Sequence, residues 1–379
     1  SNLTGIDATT IKDSGGTVRV QGTTSGIVIT GIATAGKLGI GFTDANIKIG
    51  STALDSLTTG TQNVGVGDNV LTATTTGSLI VSVGHNALAA NTTGSYNIAV
   101  GANSLDANDA NHNIAIGFDA LTANTTGTTN VAVGNYALTA SNSNGLTACG
   151  YQALKTNTTG SVNDAFGYSA LEMNTTGSSN AAFGHKALEE NTTGSYNIAV
   201  GALALDDATT ADYNTAVGYS ALTANTTGTQ NTAFGANTGK AQTTADNCTW
   251  IGNDAGLVNT ASNNTGVGAG SLRANTTGTR NTAVGCGIYG ATHGPLGSNT
   301  TGTRNTALGV LTLRSNTTAS NNTAIGAEAL ADNTTGAQNT AVGTYALDAN
   351  TTADNNTAIG YNALTAQTGT QCVAVGSEA

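Results

Sequence analysis

The residues whose types and spacing could do chemistry recur seventeen apart. Glu172, Glu189 and Asp206 are spaced that way, with Glu190 and Asp207 beside them. If successive copies of a repeat lie on paired strands, these carboxylates sit about 5 Å from one another, close to the separation in a retaining glycosidase. That chemistry also needs one carboxyl whose pKa is raised by an apolar pocket. No groove or aromatic wall can be inferred around them, so the column reads as solvated surface acids and the chain as a non-enzyme with no catalytic residue. A cation bridging the column is a lesser reading, because the Asp-rich calcium repeat of other β-rolls is absent.

A second column, Tyr151, Tyr168 and His185, follows the same spacing, with Phe118 and Tyr219 near its ends. Such rings either offer faces to sugars or stabilise stacked strands by packing on each other. A glycine-rich stretch at about 286–297 interrupts the spacing and carries Tyr289 and His293. Excursions from a regular scaffold are where recognition tends to sit. Together Tyr151, Tyr168, His185, Tyr289 and His293 form the candidate ligand or receptor surface. Asn-Thr-Thr, formally a glycosylation acceptor, recurs in nearly every repeat and reads better as a turn. The repeated Thr column at 215, 232, 249, 265 and 282 also evokes ice-binding faces, although sharing a strand face with core Val would bury it. Cys149, Cys248, Cys286 and Cys372 are too scattered for a zinc site or a disulfide framework. No metal or cofactor is expected.

Composition narrows the class. The 379 residues are 9% charged and 4% aromatic, with 51 Gly and a net charge of −11. That balance excludes a nucleic-acid binder, which needs clustered Lys and Arg. No apolar run is long enough to span a bilayer, so no membrane insertion is expected. Disorder is also disfavoured, because Ala, Val and Leu recur in strict register.

The register defines the fold. A glycine marks each unit at 67, 84, 101, 117, 134, 150, 167, 184, 201, 218, 235, 252, 268 and 285, then at 309, 326, 343, 360 and 376. The step is 17, sometimes 16, and once 24. Helical repeats need about 30 residues or more, so a short period means β-coils. Ahead of the glycine runs Asn-x-Ala-Val, after it x-x-Ala-Leu, and the coil closes through Asn-Thr-Thr-Gly, whose Asn and Gly favour turns. The expected fold is all-β: a parallel β-solenoid or β-roll of about 17-residue coils, intertwined or packed as a homotrimeric fibre. Residues 1–60 read as a β-rich leader, with strand signals at 17–21 and 26–32, and residues 61–379 as the shaft.

Within a coil, the Val column (Val100, Ile116, Val133, Cys149, Phe166, Phe183, Val200) and the Leu column (Leu121 to Leu205) are expected to form the core. Asn97, Asn113, Asn130, Asn163 and Asn180 form a polar ladder. Ala99, Ala132, Ala165, Ala199 and Ala216 then lie on the opposite strand face. A small apolar residue there suits close approach of a neighbouring chain, so these alanines are the expected chain–chain contacts.

Asn322-Thr323-Ala324-Ile325-Gly326-Ala327-Glu328-Ala329-Leu330 resembles the head repeats of trimeric autotransporter adhesins, and the added Asn-Thr-Thr-Gly corner is similar to repeats in tail-fibre and other structural proteins of tailed, especially marine, phages. The leader from Thr4 to Val20 is also phage-like. The resemblance covers nearly the whole chain and implies a trimeric parallel β-roll. The repeat is longer than in adhesin heads, with neither a membrane anchor nor a coiled-coil stalk in evidence, which favours a virion fibre. Repeat continues to Gly376, so the chain is expected to be a segment of something longer. The expected function is a rigid extracellular shaft supporting host attachment, with other virion proteins and a cell-surface glycan or protein receptor as partners. A bacterial surface adhesin or filament is the alternative, and an ice-binding solenoid or a polysaccharide depolymerase are lesser ones.

Overall fold

The computed structural model describes residues 10–12, 18–23, 26–28, 46–287, 294–365 and 369–379. The chain divides into two units, Ser1–Thr43 and Asp44–Ala379. In the first, β1 (Thr10–Lys12), β2 (Val18–Thr23) and β3 (Gly26–Val28) form an antiparallel sheet. Of the alternation read at 17–21, residues 18–21 fall in β2, and Gly26–Val28 of the β-branched run form β3.

The second unit is a parallel β-solenoid. Its strands run from β4 (Ile47–Ile49) to β23 (Val373–Val375), each three residues long and each paired in parallel with the next in sequence. The ladder starts at Ile47, earlier than the expected shaft boundary at 61, because Ile47-Lys48-Ile49-Gly50 is already a coil: Ile47 pairs with Val64 and Ile49 with Val66. Register is exact in kind as well as in place. In β14 (Thr215–Val217) and β15 (Thr232–Phe234), Thr pairs with Thr, Ala with Ala and Val217 with Phe234. The 24-residue step leaves this intact, since Thr282 pairs with Thr306 and Leu296 refills the buried Leu position.

The marker glycine is demanded by backbone proximity. Gly218 has φ +139°, and a Cβ there would lie 2.4 Å from the carbonyl oxygen of Gly235 in the next coil. No side chain fits such an approach. By contrast, Leu121, Leu138, Leu154, Leu171, Leu188 and Leu205 all take φ of 50–53°, a left-handed conformation that costs a non-glycine residue on the order of 1–2 kcal/mol. Each is fully buried, and burying a Leu side chain contributes about 1.5–3 kcal/mol, enough to hold the strain. Each also donates its amide to the next coil, as Leu171 does to Ala187 at 3.0 Å.

The strand faces are the reverse of the sequence expectation. Ala99, Ala132, Ala165, Ala199 and Ala216 have no accessible surface within the single chain; they belong to the coil's own core and not to a neighbouring chain. The Val column points outward: Ile116, Phe166, Phe183 and Val200 are 38–40% exposed. The reason is width. A Cβ placed on Gly65, the equivalent of these alanines, would meet Leu54 and Val70 at 3.4–3.5 Å, so one methyl already fills the gap across the coil. Strand side chains alternate, and once Ala points in, both flanking residues must point out.

Two buried Asn columns complete the interior. Asn97 Oδ1 accepts the Asn113 amide at 2.9 Å, Asn113 Oδ1 accepts the Asn130 amide at 3.1 Å, and Asn113 Nδ2 donates to the Gly127 carbonyl at 2.9 Å. The Asn of Asn-Thr-Thr-Gly forms the second column: Asn174 Nδ2 donates to Asn157 Oδ1 and Asn191 Nδ2 to Asn174 Oδ1, both at 2.7 Å. Buried amides are tolerable where they are paired, and Asn91, Asn124, Asn191, Asn225 and Asn350 each keep a buried Oδ1 without a donor.

Candidate functional site

The outer surface of a coil is built from the positions flanking the buried columns. Tyr151 and Tyr168 stack at 5.3 Å and 15°, and Tyr168 and His185 at 5.4 Å and 16°. The column is longer than the spacing indicated: Tyr136, one residue further past its glycine, packs edge-on between Phe118 at 5.4 Å and Tyr151 at 5.9 Å. Tyr151, Tyr168 and His185 cover each other's faces, whereas Tyr136 meets its neighbours edge to face. The column ends at His185 because Ala202 follows it. Tyr219 is 56% exposed. Tyr196 and Tyr213 make a separate stack at the turn, 4.9 Å apart. Tyr289 and His293 lie outside the described residues.

The acidic column is brought together as the spacing implies, with cations woven into it. Lys155 lies 3.6 Å from Glu172, and Lys186 Nζ is 2.8 Å from Glu189. These pairs are partly exposed and each is worth about 1 kcal/mol or less. Asp206 is different. Its carboxyl is pushed up to about 6, first by burial and then by the charges of Glu189 and Asp207, and its Oδ1 is buried without a hydrogen-bond partner. A groove of about 480 Å³ runs alongside, lined by Glu172, Met173, Lys186, Glu189, Glu190, Thr192 and Thr209. The groove brings Glu172, Glu189 and Glu190 together around Lys186, and Asp206 is not among its lining residues.

Glycosylation at Asn-Thr-Thr is incompatible with the folded coil, since Asn124, Asn157, Asn174 and Asn191 are fully buried. The shorter coils show a device the sequence reading missed. Where a turn residue is deleted, a side chain supplies the missing acceptor: Asp109 Oδ1 takes the amides of Thr92, Thr93 and Gly94, and Asn142 Oδ1 those of Thr125 and Thr126. Asp109 and Asn142, standing in place of Thr in two of the four 16-residue steps, were the available signal.

The Thr column sits outward beside the Val column, half-exposed or exposed from Thr215 to Thr357, rather than buried. Among the described residues, these hydroxyls hydrogen-bond to no other group of the chain from Thr215 to Thr357. Cys149 and Cys286 are exposed, while burial pushes the Cys248 thiol up to about 11. Among the described residues, no helix is long and apolar enough to cross a membrane. No protein-family model, curated protein or solved structure matches the chain.

Proposed function

We propose that this chain is the shaft of an extracellular fibre, a homotrimeric β-solenoid carried as an appendage of a virion, which holds a receptor-contacting element away from the particle. The observation that supports this reading is the uninterrupted parallel ladder from β4 to β23. At about 4.8 Å per strand it extends roughly 90 Å. Every coil repeats the same contacts with its neighbours, so stability accumulates along the stack. The role is mechanical and non-enzymatic, with other virion proteins and a cell-surface glycan or protein as partners. The resemblance of the Asn-x-Ala-Val/Ile-Gly repeat and the Asn-Thr-Thr-Gly corner to phage fibre repeats gives the virion its place in the reading.

Immunogold labelling with antibodies to this chain tests it, applied to virus particles and cells of the source. Label along particle appendages is the expected result. Label confined to the cell surface would favour an adhesin or filament subunit and overturn the virion assignment.

A further inference from the structure

We infer that the outward face of the sheet is a docking surface for further copies of this chain, packed parallel and in register around an axis along the solenoid. The inference rests on the fibre reading above and names the surface that reading requires.

Two columns make the face. The one before the marker glycine is apolar in every coil, running Ile49, Val66, Val83, Val100 and so on through Cys149, Phe166 and Phe183 to Ile359 and Val375. The other, two residues earlier, is aliphatic in most strands up to Ile198 and Thr from Thr215 to Thr357; its single charged member is Asp164. Lys155, Glu172, Lys186 and Glu189 lie on the far side of the glycine, and Arg280 and Arg304 at the turn ahead of the strand. A face about 90 Å long and about 10 Å wide amounts to roughly 900 Å². The unbroken apolar column makes up about half of that, on the order of 450 Å², the patch size that marks interaction sites on monomeric proteins. Two such faces bury about 1,800 Å² in contact, the size of a stable specific interface.

The occupant is a second copy because the face has two halves. Antiparallel packing would set unpartnered Thr hydroxyls against aliphatic side chains, which costs desolvation without a new bond. Parallel, in-register packing sets aliphatic on aliphatic and Thr on Thr, so hydroxyls that lack a partner within the chain find one across the axis. A second solenoid also shares the strand period at every level, which an unrelated globular surface does not.

The test uses the full chain. Glutamate is introduced on the face (V133E with F183E) and, as a control, at exposed turn positions (T159E with T193E), with folding checked by circular dichroism. Face variants are expected to sediment at the mass of one chain while controls keep the wild-type assembly. Cys149 lies in the apolar column, so in a C286S/C372S background a short bis-maleimide should couple Cys149 of one copy to Cys149 of another in the native assembly, and not after dissociation. An assembly that survives the face variants, or that resists Cys149 coupling, overturns this surface while leaving the fibre reading standing. A wild-type chain that sediments as a monomer overturns both.

Discussion

Asp206 carries the clearest residue-scale consequence. Its carboxyl titrates near 3.8 when unperturbed and near 6 in the fold. Below about pH 4 it is protonated in both states, and the folded chain has its full share of stability from this group. Between those values the fold retains a proton that the unfolded chain has released, so stability falls as pH rises through 6. The group is about half exposed, and screening discounts the effect to about 1 kcal/mol. Asp206→Asn is therefore expected to raise the melting temperature by about 2 °C at pH 8, with the gain vanishing near pH 3.5. A gain that persists at pH 3.5, or a loss at pH 8, would remove the charge explanation. The partnerless Asp206 Oδ1 belongs to the same account, since a buried acceptor without a donor favours the protonated acid.

At the scale of the element, the Asn ladders set where the coils are strong and where they are weak. The second ladder breaks at Ala208: Asn191 Oδ1 is left buried without a donor, and Asn225 Nδ2 reaches only the Gly228 carbonyl. Restoring the rung with Ala208→Asn gives Asn191 a donor and Asn225 an acceptor. The expected gain is about 1–3 kcal/mol, read as a higher midpoint in chemical denaturation; an unchanged or lower midpoint would show that the site is already filled. The sequence made the period, the strand ahead of each marker glycine and one Asn ladder legible, because each recurs at fixed spacing; the x-x-Ala-Leu run after the glycine is not a strand but turn, as at 219–224. It did not disclose which strand face points in. That depends on the coil's width, a property of the closed turn, and Ala and Val are both apolar enough for either side. Trp250 shows the same constraint from the other direction. It takes an Ala position, fully buried, only because glycines stand at 239, 256 and 266; a Cβ on Gly256 would lie 2.5 Å from the indole. Its Nε1 donates to Gln242 Oε1 at 3.0 Å. Of the candidate site, the aromatic and acidic columns were readable as columns. Ring-on-ring packing was one of two readings of the first; the Lys–Glu pairing in the second was not readable, since it depends on side-chain direction within each level.

For the whole molecule, reversing the strand faces moves the basis of self-association without removing it. The alanines are spoken for inside the coil, and a much larger apolar stripe lies outside. That stripe in water is an apolar surface of the size that marks interaction sites; the proposed assembly about a common axis would cover it and leave the charged columns facing solvent. The measurement that bears most directly on this is the sedimentation-equilibrium mass of the full chain in native buffer at micromolar concentration. The account predicts three times 37.2 kDa, and a stable species of one chain's mass would contradict it.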